Sequence, residues 1–300
     1  MVSVPRIAKP PFVGIYFKLM LDLKVWKRGS QRAPHKPLLL LYALGCWSHG
    51  IREFDWHSVK EKVGALIDQF GGNAKPDASN PFVRLRKDYN GNLWVIEGEL
   101  ILGTSDNPKV SELNARNNVA RFHPSFEKII SNRNTFDRIV NELLVEHFSE
   151  TQFEDILNAC GLSTNAKVFV SRSQRDPEFR QTVLDAYAHK CAICDYNIQF
   201  RTKIIGLEAA HIQWHNSKGP DIIQNGIALC SMHHKLLDYG AIGFNDSYEL
   251  IAAKGLSGSS SQLDYLIYSH EGKQITLPRN GVEEPSVEYL RWQRKEIFKG

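Results

Sequence analysis

No apolar run in the 300-residue sequence is longer than the eleven residues of 37–47. A helix that spans a bilayer needs roughly twenty, so this run predicts a buried helix and excludes a membrane partner. The opening segment, MVSVPRIAKPPF, lacks the cationic-then-apolar order of a secretory leader. The expected location is the cytoplasm. Cysteine is sparse, at five residues, and thiols in a reducing compartment are not expected to pair as disulfides. A strong excess of either charge is also missing: 37 Lys and Arg stand against 33 Asp and Glu, a net +4 too small to name a partner. Internal repeats and long low-complexity tracts are absent as well.

What is present is an ordinary globular composition, 42% hydrophobic and 23% charged. The length suits about two domains of ~150 residues, each with enough chain to bury a core. Basic residues gather early. The first fifty positions hold eight Lys or Arg and one acid, Asp22, whereas 151–300 holds 16 basic and 17 acidic residues. A basic leading face suits a polyanion.

Apolar spacing predicts helices over 16–27, 38–47, 56–70 and 126–148. Residues 82–85 and 93–96 read as short strands around Asp88-Tyr89-Asn90-Gly91, because Asn-Gly between apolar stretches signals a hairpin. Helices with a small sheet make the first region α+β. Polar residues concentrate in 149–175, the expected linker. Asp176-Pro177 then starts a helix with an N-cap acid and a first-turn proline. Phe179, Val183, Leu184 and Tyr187 fall on one side of it.

Cys46, inside the apolar run, and Cys160, alone before Gly161, read as small buried residues. The other three cysteines form a pattern: Cys191-Ala192-Ile193-Cys194, thirty-five residues, then Cys230-Ser231-Met232-His233. Two pairs, each separated by two residues, provide the thiolate and imidazole ligands of a tetrahedral Zn2+ site. That ion would be structural, clamping the start of the second domain to a later segment.

A second set is threaded through the first: His211 in Glu208-Ala209-Ala210-His211-Ile212, Asn225 in Asn225-Gly226-Ile227-Ala228-Leu229-Cys230, and His234 beside His233. The stretch LEAAHI, NGIALCSMHHKLLDYG resembles the HNH nucleases over about 180–245. The resemblance implies a ββα-metal fold holding one catalytic divalent ion, Mg2+ or Mn2+. It makes His211 the base that takes the water proton, and Asn225 the residue that fixes the His211 ring. His234 becomes a ligand of the catalytic ion. His233 and His234, about 100° apart on a helix, would face different metals. Many relatives carry an acid directly before the first histidine, where this chain has Ala210; Glu208, two residues earlier on the same strand face, is the substitute ligand or else a salt-bridge partner. His215, Lys218, Lys235 and Arg201 are candidate phosphate contacts or simply solvated, and Asp238 caps or orients the motif.

In the first region, Arg32-Ala33-Pro34-His35-Lys36-Pro37-Leu38-Leu39-Leu40-Leu41 is a basic, proline-stiffened segment running into the buried helix. With Asn80-Pro81-Phe82-Val83-Arg84-Leu85 and Gly91-Asn92-Leu93-Trp94, it resembles the sulfur-binding domain of type IV restriction nucleases over about 10–150. That family recognises phosphorothioated DNA. Sulfur in place of a non-bridging oxygen leaves the charge and makes that face softer and less hydrated. Pro81 and Phe82, or the proline with the Asn80 carbons, would give the apolar wall, unless they open a core strand. Arg32, His35, Lys36 and Arg84 would give charge and base-edge donors.

The expected protein is therefore α+β in two domains: 1–160, reading phosphorothioated double-stranded DNA, and 161–300, a zinc-stapled HNH domain that cuts nearby. Symmetric double-strand cleavage needs two nuclease domains, hence a homodimer. Two rivals remain: an HNH nuclease directed to methylated or unmodified DNA, and a zinc-stabilised DNA-binding module that does not cut. The intact His211, Asn225 and His234 set argues against the second.

Overall fold

A computed structural model describes residues 33–162 and 177–300. Arg32, Asp176 and the helix expected over 16–27 lie outside the described residues. Helix α1 (His35–Ser48) buries Leu38, Leu39, Leu40, Leu41, Ala43 and Leu44. It is apolar on nearly every side because it runs through the centre of the first core. Helix α2 (Trp56–Phe70) is amphipathic: Trp56, Val59, Val63, Leu66, Ile67 and Phe70 are buried at helical spacing. Its start is set by Asp55, whose side chain accepts the Ser58 N–H. Among the described residues no helix is long and apolar enough to cross a membrane.

A three-stranded antiparallel sheet lies beside these helices in the order β1 (Phe54–Asp55), β3 (Val119–Phe122), β2 (Trp94–Ile96). Phe54 and Trp94 stack on each other, and Phe122 meets both edge to face, so the three rings join the three strands. The segment expected as a strand over 82–85 is instead helix α3 (Ser79–Arg84). Phe82, Val83 and Leu85 are all fully buried and Arg84 alone between them is partly exposed, so the run lacks the strict alternation of a half-buried strand. Asp77 accepts the Ser79 N–H and opens the helix. The expected hairpin is also absent. Tyr89–Gly91 is a 3-10 turn joining α3 to β2, and β2 pairs with β3.

The helix expected over 126–148 is two, α4 (Pro124–Ile130) and α5 (Arg133–His147). Asn132 breaks the run by accepting the Thr135 N–H and capping a new start. The expected linker is folded through Leu162, with helix α6 (Phe153–Ala159) inside it. Phe153, Ile156, Leu157, Cys160 and Leu162 belong to the first core; four or five apolar anchors outweigh the polar residues between them.

The second core is built by helix α7 (Pro177–Ala186), strands β6 (Leu207–His211) and β7 (Gly226–Cys230), and helix α8 (Ser231–Asp238). β6 and β7 pair antiparallel from Leu207 opposite Cys230 to His211 opposite Gly226, and α8 follows β7 directly. This is a ββα unit. A short hairpin, β4 (Gln199–Phe200) and β5 (Lys203–Ile204), precedes it. Strands β8 (Ile242–Phe244) and β9 (Leu250–Ala252) and helix α9 (Val287–Glu296) complete the half. The chain is α+β throughout.

The two cores touch along α8 and the C-terminal end of α2. Lys299 donates from Nζ to the Asp68 and Gln69 carbonyls at 2.7 and 2.9 Å, placing a cation at a helix C-terminus where the helix dipole favours it. Asn216 donates to the Val145 and Phe148 carbonyls at 3.3 and 2.9 Å.

Candidate functional site

Cys191, Cys194, Cys230 and His233 bring one ligand atom each within 4.8 Å of one another. The first pair sits on a turn closed by Asp195 N–H to Cys191 carbonyl at 3.0 Å. Cys230 is the N-cap of α8 and His233 lies in its first turn. A thiolate there gains from the helix dipole. His233 Nδ1 is 3.2 Å from Cys230 Sγ and 3.5 Å from Cys191 Sγ. Zinc bonded to one sulfur and one imidazole at tetrahedral angles would set such atoms roughly 3.6 Å apart, so the donor set fits that ion. His233 Nε2 donates to the Leu266 carbonyl at 2.8 Å, which orients the ring and leaves Nδ1 as the ligand. Burial alone would lower the His233 pKa, but hydrogen bonds to Cys191 and Cys230 push it up to about 10. The sulfurs draw positive charge to this point.

One residue further along α8, His234 approaches Glu208 of β6, with Nδ1 2.6 Å from Oε2. The other Glu208 oxygen accepts the Ser231 hydroxyl at 2.8 Å. The His234 hydrogen bond holds the Glu208 carboxyl below its ordinary pKa, against its partial burial, and so keeps it ionised. His234 Nε2 lies 3.3 Å from Asp238 Oδ2. Among the described residues, only the Cys191 cluster gathers three or more ligand-type side chains at one point. Glu208 and His234 form a pair across β6 and α8.

His211 ends β6 with 7% exposure. Its Nε2 is 2.7 Å from Asp221 Oδ1. A carboxylate only accepts, so Nε2 carries the proton and Nδ1 keeps its lone pair. The ring stacks on Phe179 of α7, centroids 4.2 Å apart and planes 17° apart. Gly226 makes this packing feasible, since a Cβ there would meet Val183 at 2.3 Å and Phe179 at 3.2 Å.

Asn225, expected to fix the His211 ring, lies against the loop that follows His211. Its side chain accepts the Gln213 N–H at 2.8 Å and donates to the Gln213 and Pro220 carbonyls at 3.0 Å. It pins the loop after His211, and Gly219 fits beneath because a Cβ would lie 1.8 Å from the Gln213 carbonyl oxygen. The next residue, Trp214, donates to Asp238 Oδ1 at 2.7 Å. Trp214 and Asp238 thereby link the His211 loop to His234.

Before β6 the β4–β5 hairpin exposes Ile198 (60%), Phe200 (63%) and Ile205 (48%). Arg201 stands over the Phe200 ring, 5.4 Å from its centroid, and Lys203 is exposed nearby. The hairpin base is tied to α8 by Ser231 N–H to the Gly206 carbonyl at 2.9 Å. His215 and Lys218 are exposed on the loop following His211.

In the first half, His35 donates to the Lys75 carbonyl at 2.9 Å. Lys36 bonds Asp88 at 2.5 Å, with that carboxylate only 1% exposed; its ammonium is committed to a buried ion pair, a role unlike the phosphate contact expected for it. Asn80 is exposed, donates to Asp77 at 3.2 Å and accepts from Arg84 Nε at 3.0 Å. Arg84 also donates from Nη2 to Asn107 at 2.9 Å. Pro81 is buried. Phe82 is at 0% exposure between Trp56 and Trp94, so its ring belongs to the core and offers no wall to DNA.

Sequence reasoning missed Asp221, Phe179, Ser149, Thr151 and Trp214. Asp221 had one available signal: it is the sole acid in the loop between His211 and Asn225. Ser149 and Thr151 had none, because they lie some ninety positions from Asp238, the residue they touch.

A family model described as "ScoMcrA-like, DNA sulfur-binding domain" matches residues 17–165, and one described as "HNH endonuclease" matches 191–245. The chain matches no curated protein. Among solved structures it is similar to the sulfur-binding domain of ScoMcrA complexed with phosphorothioated DNA, at 21% identity and TM-score 0.41, over 49% of this chain and 94% of that one. It is similar to the corresponding SprMcrA domain complexed with phosphorothioated DNA at 22% identity and TM-score 0.41, over 50% and 93%. Against ScoMcrA, the type IV phosphorothioation-dependent restriction endonuclease, identity is 21% and TM-score 0.41, over 53% of this chain and 30% of that one.

Proposed function

Because this chain belongs to the modification-dependent DNA endonucleases that join a ScoMcrA-like DNA sulfur-binding domain to an HNH domain, we propose that its first half binds phosphorothioated duplex DNA and its second half hydrolyses a phosphodiester bond nearby. The division falls near residue 160. The observation that carries the cutting reaction is the His211–Asp221 pair at 2.7 Å, a base with its proton assigned, on the same ββα unit as the Glu208–His234 pair.

His211 Nδ1 accepts the proton of the attacking water, and the Asp221 carboxylate stabilises the imidazolium that forms. The water oxygen bonds to phosphorus, the bond to the 3′-oxygen breaks, and that oxygen takes up a proton from solvent. The ends are 5′-phosphate and 3′-hydroxyl. Glu208 and His234 would hold a divalent cation, Mg2+ or Mn2+, whose chemistry when bound would be charge stabilisation at the scissile phosphate and leaving oxygen. Cys191, Cys194, Cys230 and His233 would hold a structural Zn2+. Asn225 fixes the loop, and through it the setting of His211.

For recognition, His35, Asn80 and Arg84 are the surface groups of the first half that suit a phosphate face and base edges, with Arg32 contributing charge from the preceding segment. Pro81 gives them a stiff backbone. The β4–β5 hairpin adds two cations and an aromatic ring on the approach to the cutting site. Cutting both strands symmetrically takes two copies, hence a homodimer.

The test is cleavage of matched plasmids, with and without phosphorothioate, in Mg2+ or Mn2+. Cutting confined to the sulfur-bearing plasmid, abolished by His211→Ala with zinc content and DNA affinity retained, is the expected result. Equal cutting of both plasmids rejects the sulfur reading; a fully active His211→Ala rejects the base.

A further inference from the structure

Asp238 closes α8 with its carboxylate 1% exposed. Trp214 Nε1 donates to Oδ1 at 2.7 Å. The other oxygen, Oδ2, accepts the Ser149 hydroxyl at 2.7 Å and the Thr151 hydroxyl at 2.6 Å, and lies 3.3 Å from His234 Nε2. Gln152 adds a bond to the Asp238 main-chain carbonyl at 3.2 Å. Ser149, Thr151 and Gln152 belong to the first half, between α5 and α6. A buried carboxylate demands such donors, but two of the four side-chain donors come from the other domain and converge on the oxygen that meets His234.

We propose that Ser149 and Thr151 are positioning residues for His234, acting through Asp238, so that the DNA-reading half of the chain completes the nuclease centre. The proposal rests on the reading of His234 as a ligand of the catalytic cation. Both ring nitrogens of His234 face carboxylates, Nδ1 Glu208 at 2.6 Å and Nε2 Asp238 at 3.3 Å, so Asp238 holds the ring from the side opposite Glu208 and keeps Nδ1 directed at it, as an outer partner orients a metal ligand. Two hydroxyls on Oδ2 fix the carboxylate plane about its last torsion. Without them Oδ2 swings off the ring, and His234 loses its orientation. The DNA-reading surface around Asn80 and Arg84 makes no part of this contact, so the two effects separate.

The full-length Ser149→Ala/Thr151→Ala variant tests this. Losing an outer partner of a metal ligand costs about 10–100-fold in activity or metal affinity. Cleavage kcat is expected to fall by at least that lower bound and half-saturating Mn2+ to rise several-fold, while KM for DNA and the affinity for phosphorothioated duplex stay within about twofold. Thr151→Ser, which keeps the hydroxyl, restores near wild-type values. Asp155→Ala is the control: it removes the contacts of Asp155 with Lys235 at 2.8 Å and with Tyr239 across the same interface, leaves Asp238 untouched, and is expected to retain kcat and Mn2+ demand. Nitrogen-15 NMR of the cation-free protein reads the ring without cleavage: the His234 Nε2–H proton, protected in the wild type, is lost to solvent exchange in the double variant. Unchanged kcat and Mn2+ demand, an unchanged Nε2–H signal, or an equal loss in Asp155→Ala overturns the proposal. A wild type that cuts no DNA would sink the cleavage reading instead, and the NMR result would still decide on Ser149 and Thr151.

Discussion

His211 and Asp221 are bonded Nε2 to Oδ1 at 2.7 Å, and this contact assigns the Nε2 proton. Asp221→Asn tests it with almost no change in shape. An amide can present its own N–H to Nε2, which favours the tautomer protonated on Nδ1 and blocks proton uptake. General-base contributions run about 10²–10⁴-fold, so kcat should fall by about 100-fold or more, with KM and DNA affinity unchanged. Steady-state cleavage of a short phosphorothioated duplex provides both numbers. A variant with wild-type kcat would remove Asp221 from the reaction.

The cysteine cluster makes a separate prediction about folding. Cys191 and Cys230 come from distant parts of the second half, and His233 joins them only because α8 starts at Cys230. Cys230→Ser should lose one equivalent of zinc by elemental analysis. It should also unfold the second half, since binding and folding are coupled in small zinc modules. The first half has its own core, from Leu38 to Leu162, and its unfolding transition should survive. A zinc-free wild type with both transitions intact would show that the four donors hold no structural ion.

Lys36 and Arg84 should separate stability from DNA contact. Lys36 bonds the 1%-exposed Asp88. Breaking a buried pair from one side costs about 3–5 kcal/mol, so Lys36→Ala should show mainly as a lower denaturant midpoint. Arg84→Ala breaks bonds to Asn80 and Asn107 on the exposed surface, so its stability cost should be within about 1 kcal/mol. It should instead weaken DNA binding and reduce the salt slope by about one. Chemical denaturation and binding at two salt concentrations distinguish the two patterns; equal behaviour of both variants would sink the distinction.

The metal framework was legible because its information is local. Two short spacings, Cys191 to Cys194 and Cys230 to His233, each fix a turn, and the histidines follow within a few residues. The core helices α1 and α2 were legible for the same reason, α1 from its continuous apolar run and α2 from apolar residues at helical spacing that stop at Gly71-Gly72. What escaped was set by tertiary packing. Phe82 to Leu85 is too short for its periodicity to separate strand from helix, and only burial on all sides, against Trp56 and Trp94, decides for helix. Asn225 sits in the expected motif position, yet its geometry is spent on Gln213 and Pro220, a loop closure no spacing announces. Ser149 and Thr151 look like linker polarity until α8 is placed beside them.

The hairpin before β6 carries the last prediction. Ile198, Phe200 and Ile205 are large, apolar and exposed on a two-stranded element that also bears Arg201 and Lys203. Water gains nothing from such rings, whereas a nucleic-acid groove offers base faces to Phe200 and phosphates to the two cations. Its base is fixed at Gly206 beside Ser231 and Glu208, so DNA held there would pass the proposed cutting site. Phe200→Ala should raise KM for cleavage several-fold, matching about 1 kcal/mol, the low end for one base–aromatic stack. The preference for sulfur-bearing over ordinary duplex proposed for the first half should not move. Arg201→Ala should weaken binding to both duplexes alike and lower the salt slope. Sedimentation of the Phe200→Ala protein supplies the counter-test: a shift from dimer to monomer with unchanged KM would mean the hairpin joins two copies of the chain and does not touch DNA.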